Sequence, residues 1–474
     1  MKRKLNITVA LATTASVALL AGAAHAQLSN GNMTQGSEGR TGVAYCTTTM
    51  TNPAHNDCVM PTASAPGGGS FPGSFLVPGT NTSFSVHGFI RFDIVHDFGP
   101  HQGVNSYGWT GTPIEGPGVS YSSLQSHAAN GGTEMQAMTT RPNIETRTPT
   151  AYGELKTYIE FDFNQTSSSQ LSGNNELLRL RHAYGTLGPW LIGQTFSGFG
   201  DTQAYSDTAN GVQDVGVLNT TNVRRPQIRY TWLAGNGFTI AGSAEQTTYV
   251  GNVAASTAAG TAGGAALAAL TNNGSSAAGG GYGNWPAFVE AAQWSQPWGH
   301  VKFAAGEEVD EVRNVGATPA TSIHTQNGGY ALTLTGHLNT WGKDALRGGI
   351  VYDNGAANFS SEMTNGSEMY NTTTGARAAT KEWAAYASYE HFFNGQWRAN
   401  ASGGYAKLSG NPGFTSNTTL ASMNKKLWNV NANVIYSPVP QTDFYFEWQR
   451  IYRKTFSSAD GTDDRIDVQM NFYF

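Results

Sequence analysis

The amino-acid sequence predicts an all-β chain that closes into a transmembrane antiparallel β-barrel of sixteen strands. Three observations carry this expectation. The N-terminus reads as an export signal, charge is scarce while aromatic rings are abundant, and apolar and polar side chains alternate with period two in segment after segment.

Lys2, Arg3 and Lys4 form a positive start, and the apolar run from Ile7 to Leu20 is too short to span a bilayer as a helix. Ala24-His25-Ala26 then places small residues at the two positions a signal peptidase reads, so cleavage is expected after Ala26 and residues 1–26 are a signal peptide. Residues 27–74 are rich in Gly, Thr, Asn and Pro without periodicity and read as an irregular periplasmic extension; residues 75–474 read as the barrel. The two cysteines, Cys46 and Cys58, follow an export signal, for which one disulfide closing a small loop is the default. A zinc site with His55 and Asp57 is the alternative, although it lacks the usual Cys/His spacing.

Charged residues make up 12% of the chain, about half the globular average, which leaves little to solvate a water-facing surface. The 11 Trp, 20 Tyr and 22 Phe argue against disorder. No later segment reaches about 18 consecutive apolar residues, which excludes a helical membrane protein. A net charge of −5 without a Lys/Arg run gives no sign of a nucleic-acid partner.

The first clear strand starts at Ser83. Phe84, Val86, Gly88, Ile90, Phe92 and Ile94 take one parity; Ser85, His87, Arg91, Asp93 and Asp97 take the other, with Phe89 and Val95 as apolar exceptions. The last strand is the cleanest, with Ile466, Val468, Met470, Phe472 and Phe474 alternating with Arg465, Asp467, Gln469 and Asn471. In all, strands are predicted over 83–97, 139–148, 152–164, 176–187, 189–196, 223–233, 237–249, 285–296, 299–309, 328–340, 344–353, 380–392, 396–408, 425–437, 442–454 and 463–474.

Short and long links alternate between them. Thr148-Pro149, Gly235-Asn236, Pro297-Trp298, Gly342-Lys343, Asn394-Gly395 and Pro438-Val439-Pro440 read as tight turns. Residues 98–138, 197–222, 250–284, 354–379 and 409–424 read as long loops, and the Gly/Ala-rich run from Val253 to Gly281 as a flexible one. Short periplasmic turns opposite long extracellular loops are the asymmetry of outer-membrane barrels. Tyr184, Trp190, Tyr230, Trp232, Trp294, Trp298, Trp341, Trp397, Tyr436 and Phe474 lie near the turns, as a headgroup-level girdle would.

Several stretches resemble a known family. Phe75-Leu76-Val77-Pro78-Gly79-Thr80-Asn81-Thr82, running into His87-Gly88-Phe89-Ile90-Arg91-Phe92-Asp93, resembles the opening of alphaproteobacterial and DcaP-like porins. Arg147 through Glu160, Leu180-Arg181-His182-Ala183-Tyr184-Gly185, Leu191 to Phe196 with Asp201, and Arg225-Pro226-Gln227-Ile228-Arg229-Tyr230 are similar to the same group. The ending at Phe474 resembles the terminal aromatic of porins generally, and Val434 to Pro440 is likewise porin-like. Two features depart from the pattern: Ser83 stands where a cysteine is typical after Pro-Gly-Thr, and residues 27–74 show no heptads.

The resemblance implies a homotrimer in outer-membrane lipid and lipopolysaccharide, with one water-filled pore per subunit for small polar solutes and a lean towards small anions. It also places the third long link, Ser197 to Asn222, inside the barrel as a constriction carrying Asp201, Asp207 and Asp214. Strand parity supplies a basic wall of Arg91, Arg141, Arg147, Lys156, Arg179, Arg181 and Arg229, and acids opposite a basic wall would set a transverse field. The alternative is that these charges pair along the wall with Asp93, Glu145, Glu154 and Glu160. An outer-membrane enzyme would need a nucleophile elbow or a zinc helix, and neither G-x-S-x-G nor H-E-x-x-H occurs; no cofactor is expected. A plugged receptor or adhesin would need a larger N-terminal domain than residues 27–74 provide.

Overall fold

The computed structural model describes residues 68–99, 131–166, 176–209, 215, 224–247, 267–270, 285–314, 323–356, 359, 368–371, 377–409, 424–456 and 458–474. The export signal, Cys46, Cys58 and Asp214 lie outside the described residues.

Sixteen long strands and two short ones make one closed sheet. In chain order the long strands are β1 (Ser83–Asp97), β2 (Arg141–Thr150), β3 (Gly153–Thr166), β4 (Glu176–Leu187), β5 (Trp190–Phe196), β6 (Arg224–Gly235), β7 (Phe238–Glu245) and β8 (Ala287–Gln296). They continue as β9 (Gly299–Asn314), β10 (Ile323–Asn339), β11 (Ala345–Asn354), β12 (Lys381–Phe392), β13 (Trp397–Ser409), β14 (Asn424–Val439), β15 (Thr442–Thr455) and β16 (Asp460–Tyr473). Each pairs antiparallel with its neighbours, and β16 returns to β1 from Phe89↔Tyr473 to Asp97↔Arg465. Closure leaves no hydrogen-bonding edge facing hydrocarbon, which a membrane sheet requires.

The alternation gives the barrel its two surfaces. Ile90 is 51% exposed while Arg91 beside it is 1% exposed. That inverts the soluble pattern, with apolar side chains outside and charges inside. At the turn end, outward rings pair between strands: Trp190 meets Tyr230 edge to face, Phe238 stacks with Trp294, and Trp397 stacks with Tyr436 at 4.4 Å between centroids. A second outward set, Trp383 with Tyr405 and Trp428 with Tyr452, lies at the loop end. Trp428 and Tyr436 share β14, about 26 Å apart at about 3.3 Å per residue, or about 20 Å along the axis for a typical tilt. That spacing suits an apolar band.

Tyr184 leaves the predicted girdle. It pairs with Tyr158, whose buried hydroxyl donates to Glu160, so its parity faces inward. Other corrections are local. The first turn is not Thr148-Pro149: β2 runs on to Thr150 with Pro149 opposite Glu154, and the turn is Ala151-Tyr152. There the Thr150 hydroxyl donates to the Gly153 carbonyl and accepts from the Tyr152 N–H, closing the turn. Between β6 and β7 the turn is Asn236-Gly237, one residue on, with both φ values positive (51° and 81°), as a type I′ hairpin demands.

Three regions read as loop contain strand. Gly132–Gln136 pairs with Asp93–Asp97 above β2, and Leu267–Leu270 pairs with Glu368–Asn371 in a separate three-stranded sheet. β9 also runs past its predicted end, to Asn314 opposite Ile323.

One irregularity positions charge. The register of β3 and β4 shifts between Glu160↔His182 and Phe161↔Leu180, leaving Arg181 as the extra residue of a β-bulge. Arg181 and its neighbour His182 are therefore both buried inside. On the outer face the Gln194 amide donates to the Leu180 and Arg181 carbonyls at 3.2 and 3.3 Å. A carbonyl left unbonded in hydrocarbon costs about 1–3 kcal/mol, so the glutamine offsets the bulge.

Candidate functional site

The inner wall has two unlike halves. From β1 to β4 it is a charged ladder. Arg141, Arg179 and Arg181 converge on Glu160 and Asp162: Arg179 grips Asp162 at 2.8 and 2.6 Å, Arg181 bridges Glu160 and Asp162 at 3.0 Å each, and Arg141 approaches both at 3.6 and 3.7 Å. Lys156 and Arg147 share Glu145 at 3.0 and 2.6 Å. Arg91 donates to Asn471 at 3.1 Å across the β1–β16 seam, and its guanidinium and that of Arg141 flank the Phe89 ring. Arg229 on β6 donates to the Phe196 carbonyl at 2.5 Å and to Gln227 at 2.6 Å. So five of the seven predicted basic residues pair along the wall with acids of β2 and β3.

From β8 to β14 the inner wall towards the loop end is small and apolar. Ala287, Val289, Ala304, Ala331, Val351, Ala384, Ala406 and Leu427 cluster there with Phe199, Val215 and Phe359. Alanine at inward parity makes room for chain. Into that room folds the link after β5, of which Ser197–Ala209 and Val215 are described. Hydrogen bonds fix it at successive strands: Gly198 N–H to Glu245 on β7 (2.7 Å), Ala209 N–H to Glu447 on β15 (2.8 Å) and Val215 N–H to Asn429 on β14 (2.7 Å). Gly404 on β13 faces Val215 so closely that a Cβ there would lie 1.8 Å from the Val215 carbonyl oxygen.

Both described acids of this link are anchors. Asp201 opens a short 3-10 turn by accepting from Gln203 N–H, and its other oxygen accepts from Thr335 at 2.7 Å and bonds His300 at 2.8 Å. Lys302 donates to the Gly200 carbonyl beside it. Burial alone would raise the Asp201 carboxyl; the His300 imidazole, with Lys302 and Thr335, holds it well below the usual carboxylate range. Asp207 accepts from Tyr445 at 2.9 Å and from Arg398 at 3.2 Å, while Asn433 holds its carbonyl at 2.6 Å. Asp201 and Asp207 thus meet β9, β10 and β13–β15, and the predicted basic residues stand on β1–β6. The anchoring partners His300, Lys302, Arg398 and Tyr445 were missed in the sequence. Their inward parity was readable, but nothing local marks a side chain as the partner of a loop about a hundred residues or more away.

A closed sheet with apolar rings outside, ionic ladders inside and a chain segment held across its bore defines a membrane pore-type barrel. The chain belongs to the family described as the porin subfamily, whose model matches residues 72–470. Its place is the outer membrane. Porin Omp2b of Brucella suis is 25% identical over 179 residues, 37% of this chain and 40% of the relative. Porin Omp2a of Brucella melitensis is 26% identical over 190 residues, 37% of this chain and 44% of the relative. The match thus spans about two fifths of those relatives' length. The outer membrane channel DcaP of Acinetobacter baumannii shares the fold with a TM-score of 0.64 at 18% identity, over 84% of this chain and 99% of that one. An anion-selective porin from Comamonas acidovorans superposes with a TM-score of 0.52 at 9% identity, over 83% of this chain and all of that one (100%).

Proposed function

We propose that the barrel is a porin in action as well as in family: a water-filled channel for passive diffusion of small hydrophilic solutes and ions. The carrying observation is the Ser197–Ala209 segment pinned inside a sixteen-stranded ring, because a ring of that size is otherwise wide enough for an open aqueous bore. The segment narrows the bore, and solutes pass along the charged wall of β1–β4. The turns face the periplasm and the loops the exterior; three copies assemble, each with its own pore. Outer-membrane lipid and lipopolysaccharide surround the assembly.

A weak preference for small anions is part of this reading. Arg141, Arg179 and Arg181 outnumber Glu160 and Asp162 by one in that stretch of wall, and Arg91 beside them faces Asp93, which leaves a single net positive charge there. Planar-bilayer recordings of the purified protein should show steps of ohmic conductance, with a zero-current potential on the anion-selective side in a potassium chloride gradient. Arg91→Gln with Arg141→Gln should move that potential towards cation selectivity. An absence of conductance steps would refute the channel, and an unmoved potential would refute the assigned wall.

A further inference from the structure

The outer surface carries a second charge pattern that solute passage does not use. Lys407 on β13 stands directly opposite Lys426 on β14, which stands opposite Lys454 on β15. Ala406, Leu408, Leu427 and Thr455, their chain neighbours, are buried inside, so these three lysines share the outward parity. Lys381 on β12 is outward too, two residues from Trp383, the partner of Lys407. Like charges directly opposite on neighbouring strands, with Cβ atoms about 4.5–5.5 Å apart, repel. Among the described residues one acid answers them: Asp460, 3.4 Å from Lys454. Among the described residues Lys407 and Lys426 have no ion pair.

The row's position says what neutralises it. One outward step nearer the bilayer lie Tyr405, Trp428 and Tyr452, with Trp383 tilted against Tyr405 at 5.1 Å and Trp428 stacked on Tyr452 at 5.6 Å. Amphipathic rings mark the headgroup level, so the lysines stand at or just above the phosphate plane, at the loop end of the barrel. We infer that Lys407, Lys426 and Lys454 form a binding site for the phosphorylated headgroup of an outer-leaflet lipid, the lipid A phosphates of lipopolysaccharide, whose acyl chains lie along the rings below. Charge complementarity and depth together select a lipid over a protein occupant, because a phosphate at that depth supplies the missing anion while its chains cover the aromatic row. This rests on the proposed sidedness, with the loops towards the outer leaflet.

The test uses the full-length protein in phospholipid bilayers containing lipid A with both phosphates, or lipid A stripped of them, read by co-purification of lipid and by titration. Each lysine near an anionic surface contributes about fivefold, so Lys407→Gln with Lys426→Gln and Lys454→Gln should weaken retention of the phosphorylated lipid roughly a hundredfold. Retention of the dephosphorylated lipid should not change, and the triple arginine variant should restore binding. Lys343→Gln, in the turn at the other end of the barrel, should be silent. Heat-modifiable mobility on gels reports folding, and the arginine variant keeps the test decisive if the glutamine variant folds poorly. Unchanged retention, an equal loss with the stripped lipid, or displacement by millimolar inorganic phosphate would overturn the site. Single-channel conductance should be the same in all variants; loss of conductance in the wild type would instead refute the channel and leave the lipid result standing.

Discussion

Asp201 shows how one side chain can set the position of a loop. Its carboxylate accepts from a backbone N–H and a threonine and bonds an imidazole, so neutralising it strands three groups at once. Because its folded-state value is depressed, its contribution is complete above the ordinary carboxylate value near 4 and is lost as pH falls through the lower, folded value. The voltage at which single channels close should therefore hold steady from pH 7 down to about pH 4 and drop only in stronger acid. Asp201→Asn should close at low voltage already at pH 7. A wild-type threshold that slides between pH 7 and pH 5 would show that another group governs the loop.

At the level of the element, the inward segment depends on what the opposing strands omit. Gly404 and the alanines of β8–β13 hollow the wall, and Gly306 admits the Phe359 ring, which a Cβ would approach to 2.8 Å. Gly404→Ala should push the Val215 backbone off the wall while leaving the sheet paired, since β13 pairs through its backbone on both sides. The expected outcome is a changed conductance, by about a third or more, with an unchanged heat-modifiable shift; a destabilised barrel with normal conductance would contradict it. Legibility in the sequence divides along the same line. The strands were readable because each carries its own period, as Ile466 to Phe474 does without help from its neighbours. The inward segment was not, since Ala304 or Ala406 reads as a weak strand position until the chain opposite is known. Arg181 was readable as an inward cation, but the bulge that turns both it and His182 inward comes from register against β3. Tyr184 failed for the converse reason: nearness to a turn says nothing of which face a ring takes.

The whole molecule depends on its seam. β1 and β16 are joined by Arg465 and Asp97 at 2.6 Å and by reciprocal backbone bonds between Gly88 and the final residue, Phe474, at 3.1 and 3.0 Å. Gly88 has φ +153°, and a Cβ there would lie 2.3 Å from the Arg141 carbonyl oxygen. Gly88→Ala should destabilise the barrel by about 1–3 kcal/mol, read as a lower urea midpoint of the folded band on gels. An unchanged midpoint would mean that β1 tolerates a displaced β2. The segment before the first strand shares with β16 the task of covering it: Phe75–Leu76 pairs with Ser83 and Phe84, beyond the point where β16 has run out.

Pairing the first strand with the last has a consequence for how such a chain is made. A ring has no partial product, because every intermediate short of the final residues exposes two ribbons of unpaired amides that hydrocarbon will not accept. The polypeptide must therefore be held open in water until β16 has been delivered, and a chain that loses this closing strand loses the barrel rather than one strand of it.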